Sequence, residues 1–489
     1  MAVLRGRRRG CPRRDGGDRA LPETGGSLQY HRRDRRRLRH RQRSAGDDPS
    51  SASDGSGPRA RRCQRSAPCP QGDARPDTGL ARPCDADSLE PHIEARWGVW
   101  SLENRVAGAA ARDDRRTLRR VVCRRRLRHR RRAGRGRGRS RGVNQTQYGI
   151  GVVGLGIGQQ HLEAYRRKGL RVAAICDLDD ALRARTAEKF DIGTTYANVY
   201  DMIADPSVDV VDLALQPWLR LPVVVAAAEA GKHVLCQKPF AMSMRQGVAM
   251  VEACERHGVM LMVNQNSCYV PGFLAVEPYL ESLGEVYHMS ITCDGRFMDF
   301  PERRLIPAMM VHHVALAVHW FGEIETVYCH AHGHDAPVTE REVMAQALVR
   351  FGSGGGGLLS CNWSFLGAAG HTHQHPHEEI RVQGSHGTIC GHSGEMSVHI
   401  EEPGPRTISP DIEGTWFPDA FGNSMSHFLA CIGQGSTPKT DGRGNLHVLQ
   451  CLFAMHRSAT ERREVCVSEI GLDDDVDLSP QRILGAGER

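Results

Sequence analysis

The stretch QYGIGVVGLGIGQQHLEAYRRKGLRVAAICDLDD, residues 147–180, decides the fold. Tyr148 to Val153 is a short apolar run that reads as a strand, and glycines follow it. An amphipathic stretch then runs to about Lys168, and a second apolar run, Arg171 to Cys176, ends in Asp177. This is a strand–turn–helix–strand unit. Gly154, Gly156, Ile157 and Gly158 occupy its turn. The first glycine allows a tight turn, and the second lets the backbone approach a pyrophosphate at the helix N-terminus. The usual spacing is G-x-G-x-x-G; here the third glycine comes one residue early, and Gln159 stands in its expected place. Asp177, at the end of the second strand and 23 residues after Gly154, is placed to accept from a ribose 2′-hydroxyl. A carboxylate there repels a 2′-phosphate, so the expected cofactor is NAD, with NADP as the alternative.

The same rhythm continues. VDVVDLAL (208–215), KHVLCQ (232–237) and VMLMVNQ (259–265) read as buried strands, with helical RLPVVVAAAEAG and SMRQGVAMVEACERHG between them. Apolar runs alternating with helices indicate a doubly wound parallel sheet covered on both faces. Gln216 and Pro217, Gln237 and Asn264 fall at strand ends, where such a sheet opens its ligand crevice. They complete the expected cofactor contacts.

After about residue 266 the pattern changes to longer alternating segments: EVYHMSITCDGRF, IETVYCHAHGH, EVMAQALVRFGSGGGGLLSCNWSF and EEIRVQGSHGTICG. These predict a mostly antiparallel open-faced sheet, with a hairpin at glycines 352–357 and helices near 304–321, 418–434 and 444–460. The expected fold class is α/β. A disordered Arg-rich extension (1–143) precedes a nucleotide-binding domain (147–266), a substrate-binding and oligomerisation domain (267–470) and a tail (471–489). A sheet with helices on one face leaves the other for a ligand or a second copy, so a homo-oligomer is expected.

Charge divides the chain at the same place. Residues 1–143 hold 39 Arg, no Lys and 16 Asp plus Glu, a net of about +23, whereas residues 144–489 have a net of about −15. Runs such as RRDRRRLRHRQR repel themselves and bury too little apolar surface to offset chain entropy. Aromatic residues for base stacking are nearly absent there, so nucleic acid is not the expected partner. Arginine without lysine is the composition of a GC-rich frame read upstream of a true start. Residues 1–143 are therefore expected to fall outside the natural protein, a disordered tail being the alternative. No apolar run reaches the roughly 18 residues that span a bilayer, and no signal peptide is visible. The 16 cysteines contain no CxxC pair and read as reduced thiols of a cytoplasmic protein.

Lys238 lies between an apolar strand and Pro239, in VLCQKPF. At that strand end a lysine can stand beside a nicotinamide ring and hydrogen-bond a substrate hydroxyl. Equally, it can snorkel to a surface carboxylate. Its own context does not choose.

GVVGLGIGQQH, VDVVDLALQP, AGKHVLCQKPFA and MVNQN, in this order and spacing, resemble the glucose–fructose oxidoreductase, inositol dehydrogenase and rhizopine-catabolism (Gfo/Idh/MocA) family. The resemblance runs from about residue 147 to 468. It implies a Rossmann domain followed by an open-faced sheet, NAD(P), and a sugar, polyol or inositol-like substrate. The family's Glu-Lys-Pro motif reads Gln237-Lys238-Pro239 here. Its catalytic histidine falls on His312 in AMMVHHVALAVHWFGE, while its two nearby aspartate positions are Ala308 and Ala315. A family histidine after the fourth strand and an arginine after NQN fall on Arg220 and Cys268. The resemblance thus implies that Lys238 positions the substrate oxygen and stabilises developing alkoxide charge, with His312 as acid/base.

The same residues would serve a glycoside-cleaving enzyme that uses NAD without net redox, and a non-catalytic NAD or sugar sensor is the remaining reading. The histidine-rich HTHQHPH (371–377) and HAHGH (330–334) read as loop and strand-face histidines. No metal site is expected.

Overall fold

The computed structural model of the protein describes residues 145–295, 305–332, 343–363, 377–401 and 403–474. The expected disorder over 1–143, His371, His373, His375 and His334, and the tail beyond residue 474 lie outside the described residues.

The chain first builds β1 (Ile150–Val153), α1 (Gly158–Lys168), β2 (Val172–Cys176), α2 (Asp180–Phe190), β3 (Thr195–Tyr196) and α3 (Val199–Ala204). Next come β4 (Val210–Leu213), α4 (Arg220–Glu229), β5 (His233–Gln237), α5 (Met244–Arg256) and β6 (Leu261–Asn264). Its six strands pair in parallel in the order β3-β2-β1-β4-β5-β6. β1, β4 and β6 are buried at every position, which is why they read as mostly apolar runs, broken only by Asp212 and Asn264, rather than as alternations. Each large apolar side chain so removed from water contributes about 1.5–3 kcal/mol. Helix starts are set by side-chain caps. Asp179 accepts from Leu182 N–H and Ser243 from Gln246 N–H, each satisfying an otherwise orphaned donor. Strand order reverses between β1 and β4, and the crevice opens there at the C-terminal strand ends.

A short helix α6 (Pro271–Val276) leads to a second sheet. It comprises β7 (Val286–Asp294), β8 (Ile324–His332), β9 (Met344–Phe351), β10 (Gly356–Asn362), β11 (His377–Gly384), β12 (Gly387–His392), β13 (Glu395–Ile400), β14 (Arg406–Ile408) and β15 (Val465–Cys466). The order is β14-β13-β12-β11-β7-β10-β9-β8-β15, antiparallel throughout except for the central β7–β10 pair. The expected hairpin lies between β9 and β10, where Gly354 and Gly355 adopt φ of 100° and 73°. Along β9, Ala345, Ala347, Val349 and Phe351 are buried while Gln346, Leu348 and Arg350 face out. That alternation belongs to a sheet covered on one face only. Helices α7 (Val311–Phe321), α8 (Asp419–Gln434) and α9 (Gly442–Glu461) complete the fold, α9 packing on β8 and α8 on α1. One boundary differs from a simple helix: Ile306–Met310 forms a π-turn that leads into α7. Among the described residues no helix is long and apolar enough to cross a membrane.

Candidate functional site

The glycine turn divides its labour by position. Gly154 has φ +88°, and a Cβ there would stand 2.8 Å from the Ala214 carbonyl oxygen, so only glycine fits. A Cβ on Gly156 would meet nothing within 4 Å, which leaves that side of the turn open to a ligand. Gly158 is the first residue of α1, and a Cβ there would lie 3.3 Å from Val152 Cγ1, tighter than most such contacts, so the missing side chain eases the packing of helix on strand. The early third glycine therefore serves helix–strand packing. Unlike α2 and α5, helix α1 has no side-chain cap, and its first turn carries no acidic residue. Among the described residues no side chain competes with an anion for those first N–H groups, although Gln160 N–H donates to the Ile157 carbonyl at 2.9 Å within the turn.

Beside this turn lies a cleft of about 110 Å³ lined by apolar residues together with Gly154, Asp177 and Tyr200. Asp177 turns its carboxylate back to the glycine turn. One oxygen accepts from Leu155 N–H at 2.7 Å and the other from Asp179 N–H at 3.0 Å. Each oxygen keeps a second lone pair for a hydroxyl. Ile157 is 40% exposed on the turn, Gln216 is exposed at the end of β4, and Pro217 is buried there. Asn264 is fully buried at the end of β6, opposite Gln237 in register, and neither its Oδ1 nor its Nδ2 has a partner. A buried amide with both ends unmet fits a polar ligand group. These observations match what a dinucleotide requires: an uncapped helix start, an open glycine, an apolar cleft and a carboxylate at its rim.

The lysine turn is held more tightly than its sequence suggested. Lys238 N–H donates to Gln237 Oε1 at 2.7 Å, which fixes the orientation of that amide. Its Nε2 then donates to His161 Nε2 at 3.1 Å, so the proton of His161 resides on Nδ1. That Nδ1–H reaches Asp212 Oδ2 at 2.8 Å, and the same oxygen accepts from Tyr165 OH at 2.7 Å. Asp212, His161 and Tyr165 are completely buried. This relay accounts for Gln in place of the family's Glu, because a carboxylate at 237 has no proton to offer His161. Neither His161 nor Asp212 was singled out from sequence. The available signal was a charged residue in the middle of an otherwise apolar strand. Tyr165 is pushed well up in pKa, first by burial and then by Asp212.

Lys238 and His312 are brought together. Lys238 Nζ donates to the Ala308 carbonyl at 2.7 Å, in the π-turn just before His312. His312 is 4% exposed, its Nδ1 has no partner, and its ring stands edge-on to Trp416 at 5.8 Å. Burial, then the Lys238 ammonium, then His313 hold its pKa well below 6.5, so the imidazole is neutral near pH 7. Ala308 and Ala315 provide no carboxylate, and Ala315 is 3% exposed. Cys268 is buried, and burial raises its thiol to about 12. Arg220 is buried, donates to a group of main-chain carbonyls and lies beside the Cys236 thiol.

His313 has a different environment. Its Nε2 stands 3.3 Å from Glu378 Oε1 as an ion pair without hydrogen-bond alignment. Burial lowers its pKa, but Cys293 and Glu378 outweigh burial and raise it overall. His330 and His332 are exposed on the open face of β8. Among the described residues, no group of three His, Cys, Asp or Glu is placed to hold a metal ion.

Residues 148–265 match the model of an oxidoreductase family with an NAD-binding Rossmann fold, and residues 281–390 match the Gfo/Idh/MocA C-terminal domain. A D-apiose dehydrogenase from Paraburkholderia graminis is 28% identical over 335 residues, which is 64% of this chain and 88% of that protein. A myo-inositol 2-dehydrogenase from Thermotoga maritima is 24% identical over 353 residues, covering 66% of this chain and 99% of that protein. Among solved structures, an Agrobacterium radiobacter oxidoreductase in complex with NAD+, L-tartaric acid and magnesium aligns with a TM-score of 0.60. It is 24% identical over 66% of this chain and 99% of its own.

Proposed function

The chain belongs to the Gfo/Idh/MocA family of NAD-binding oxidoreductases, and from that premise we propose that it is a dehydrogenase of a sugar, polyol or inositol-like hydroxyl. The observation that carries this reading is the Lys238 ammonium beside a neutral, buried His312, at the end of a Rossmann strand.

Gly154, Gly156, Ile157, Gly158 and Asp177 would hold the dinucleotide, with Gln216, Pro217, Gln237 and Asn264 at the adjoining strand ends. Bound NAD supplies the hydride acceptor or donor. Lys238 donates a hydrogen bond to the substrate oxygen and stabilises the negative charge that grows on it. His312 takes the hydroxyl proton in oxidation and returns it in reduction. Its low pKa keeps the acceptor form present at neutral pH, and makes the protonated form a strong acid. The Ala308 carbonyl holds the ammonium where the family's aspartate would stand, so Lys238 keeps a partner that takes no proton.

The open face of the second sheet supports a homo-oligomer. Tyr328, Leu348 and Leu358 lie in register across β8, β9 and β10, and Tyr328 and Leu348 are 46% and 58% exposed. Light scattering of the purified chain checks this; a monomer at micromolar concentration rejects it.

The activity test is a screen of pentoses, hexoses and inositols, including D-apiose and myo-inositol, for NAD+ and NADP+ reduction. The reading requires NADH formation with at least one of them, lost on Lys238→Ala and His312→Ala. Measurable NAD binding with no turnover of any rejects it. Free sugar released without NADH accumulating assigns the site to glycoside cleavage instead.

A further inference from the structure

Arg220 is 1% exposed, and among the described residues no carboxylate contacts it. Its Nε and Nη2 donate to the Leu215 carbonyl at 2.9 and 2.6 Å. Its Nη1 donates to the carbonyls of Gln237, Pro239 and, at 3.4 Å, Phe240, while Nη2 is 3.5 Å from that of Lys238. Four consecutive carbonyls thus curl around one guanidinium. Successive carbonyls of an extended chain point to opposite sides, whereas in this turn, which contains the cis Lys238–Pro239 peptide bond, they face the same cation. A guanidinium stays protonated even when burial lowers its pKa, as it does here. Burying such a charge without a counter-ion is costly, and carbonyl dipoles at the strand ends offset that cost only while they stay gathered on it.

The consequence falls on Lys238. Its N–H is held by Gln237 and its carbonyl stands beside Arg220, so the lysine side chain starts from a backbone clamped on both sides. The clamp is anchored at Leu215, just past the end of β4, the strand that pairs with β5 and borders the crevice. We propose that Arg220 is a positioning residue for Lys238. It ties the 237–240 turn to the loop after β4 and so sets where the ammonium stands, before the second sheet or a substrate contributes. This rests on the reading of Lys238 as the group that holds the substrate oxygen.

The test uses the scarcity of lysine, five in the chain. Reductive 13C-methylation of the full chain yields few lysine resonances, and Lys238→Arg assigns the one from Lys238. In Arg220→Ala, the Lys238 resonance should move while the other lysines and the NAD dissociation constant stay within about threefold. kcat with whichever sugar or inositol the screen identifies should fall by ~10²-fold, the scale of a small misplacement, and millimolar guanidinium should restore part of it. An unmoved Lys238 resonance with unchanged kcat overturns the proposal. So does a loss of NAD affinity, thermal stability and kcat together that guanidinium does not reverse. Should Arg220→Ala not fold, Arg220→Lys keeps the charge but offers three donors. Lowered kcat with retained NAD binding then supports the proposal, and wild-type kcat overturns it. If the wild-type chain oxidises none of the sugars, the dehydrogenase reading fails on its own, and the Lys238 resonance still decides the role of Arg220.

Discussion

The Gln237-Lys238-Pro239 turn and the 306–313 segment meet at the same site but are held in opposite ways. The turn is tied on both sides by buried side chains, Gln237 with His161 and Asp212 behind it, and Arg220. The helix start has a π-turn, no carboxylate at 308 or 315, and a His312 whose Nδ1 is unmet. One half of the site is finished by its own chain, and the other waits for a ligand. In the proposed reaction, position comes from the nucleotide-binding half, and proton chemistry comes from a poorly supported group in the second.

Removing the lysine tests that comparison most severely. Lys238→Met should lower kcat/KM by ~10²–10⁴-fold and leave NAD affinity within a few-fold. A parallel loss of NAD binding would mean that the turn serves the cofactor rather than the substrate oxygen.

Restoring the missing carboxylate should narrow the difference between the halves. Ala308→Asp places an anion near His312 and raises its pKa. In the wild type His312 is depressed below 6.5, so its acceptor form persists through pH 6.5 and is lost only as pH falls through the lower folded value. The acid limb of kcat/KM should thus lie below pH 6.5 in the wild type and move up in the variant, with kcat/KM near neutrality rising by up to ~tenfold. A limb that stays in place removes His312 from the proton step.

A smaller effect probes the relay. Gln237→Glu loses the donor to His161 Nε2 and should cost about 1 kcal/mol of stability, read as a lower Tm. An unchanged Tm would show the relay to be dispensable.

The least change is expected at His427, away from the site. Burial, then Lys439 and His319, lower it from 6.5 to about 4, and its Nε2 accepts from Lys439 N–H. Between those values the unfolded chain binds more protons, so stability is lost as pH falls from 6.5 toward 4. His427→Gln should flatten that part of a Tm-against-pH profile, and an identical slope in both proteins excludes His427 as a source.

Much of this was legible along the chain, because the signals were local. The period of the apolar runs separated a doubly buried sheet from a half-exposed one. The glycine spacing marked the tight turn between β1 and α1 that is proposed to hold the nucleotide, and Lys238 was conspicuous at its strand end. The illegible part consists of partners far apart in sequence. His161 and Asp212 are 51 residues apart, and Lys238 and Ala308 are 70. Arg220 read as a departure from the family histidine, and only folding shows it surrounded by carbonyls.

The sequence by itself determined the order of strands and helices, the two kinds of sheet and the residue types at the crevice, because periodicity and turn chemistry act over a few residues. The tertiary structure alone decided which groups are charged, which are neutral and which are held. Those properties depend on burial and on neighbours brought in from other elements: His312 is neutral beside Lys238, while adjacent His313 is drawn to Glu378 on β11 of the second sheet.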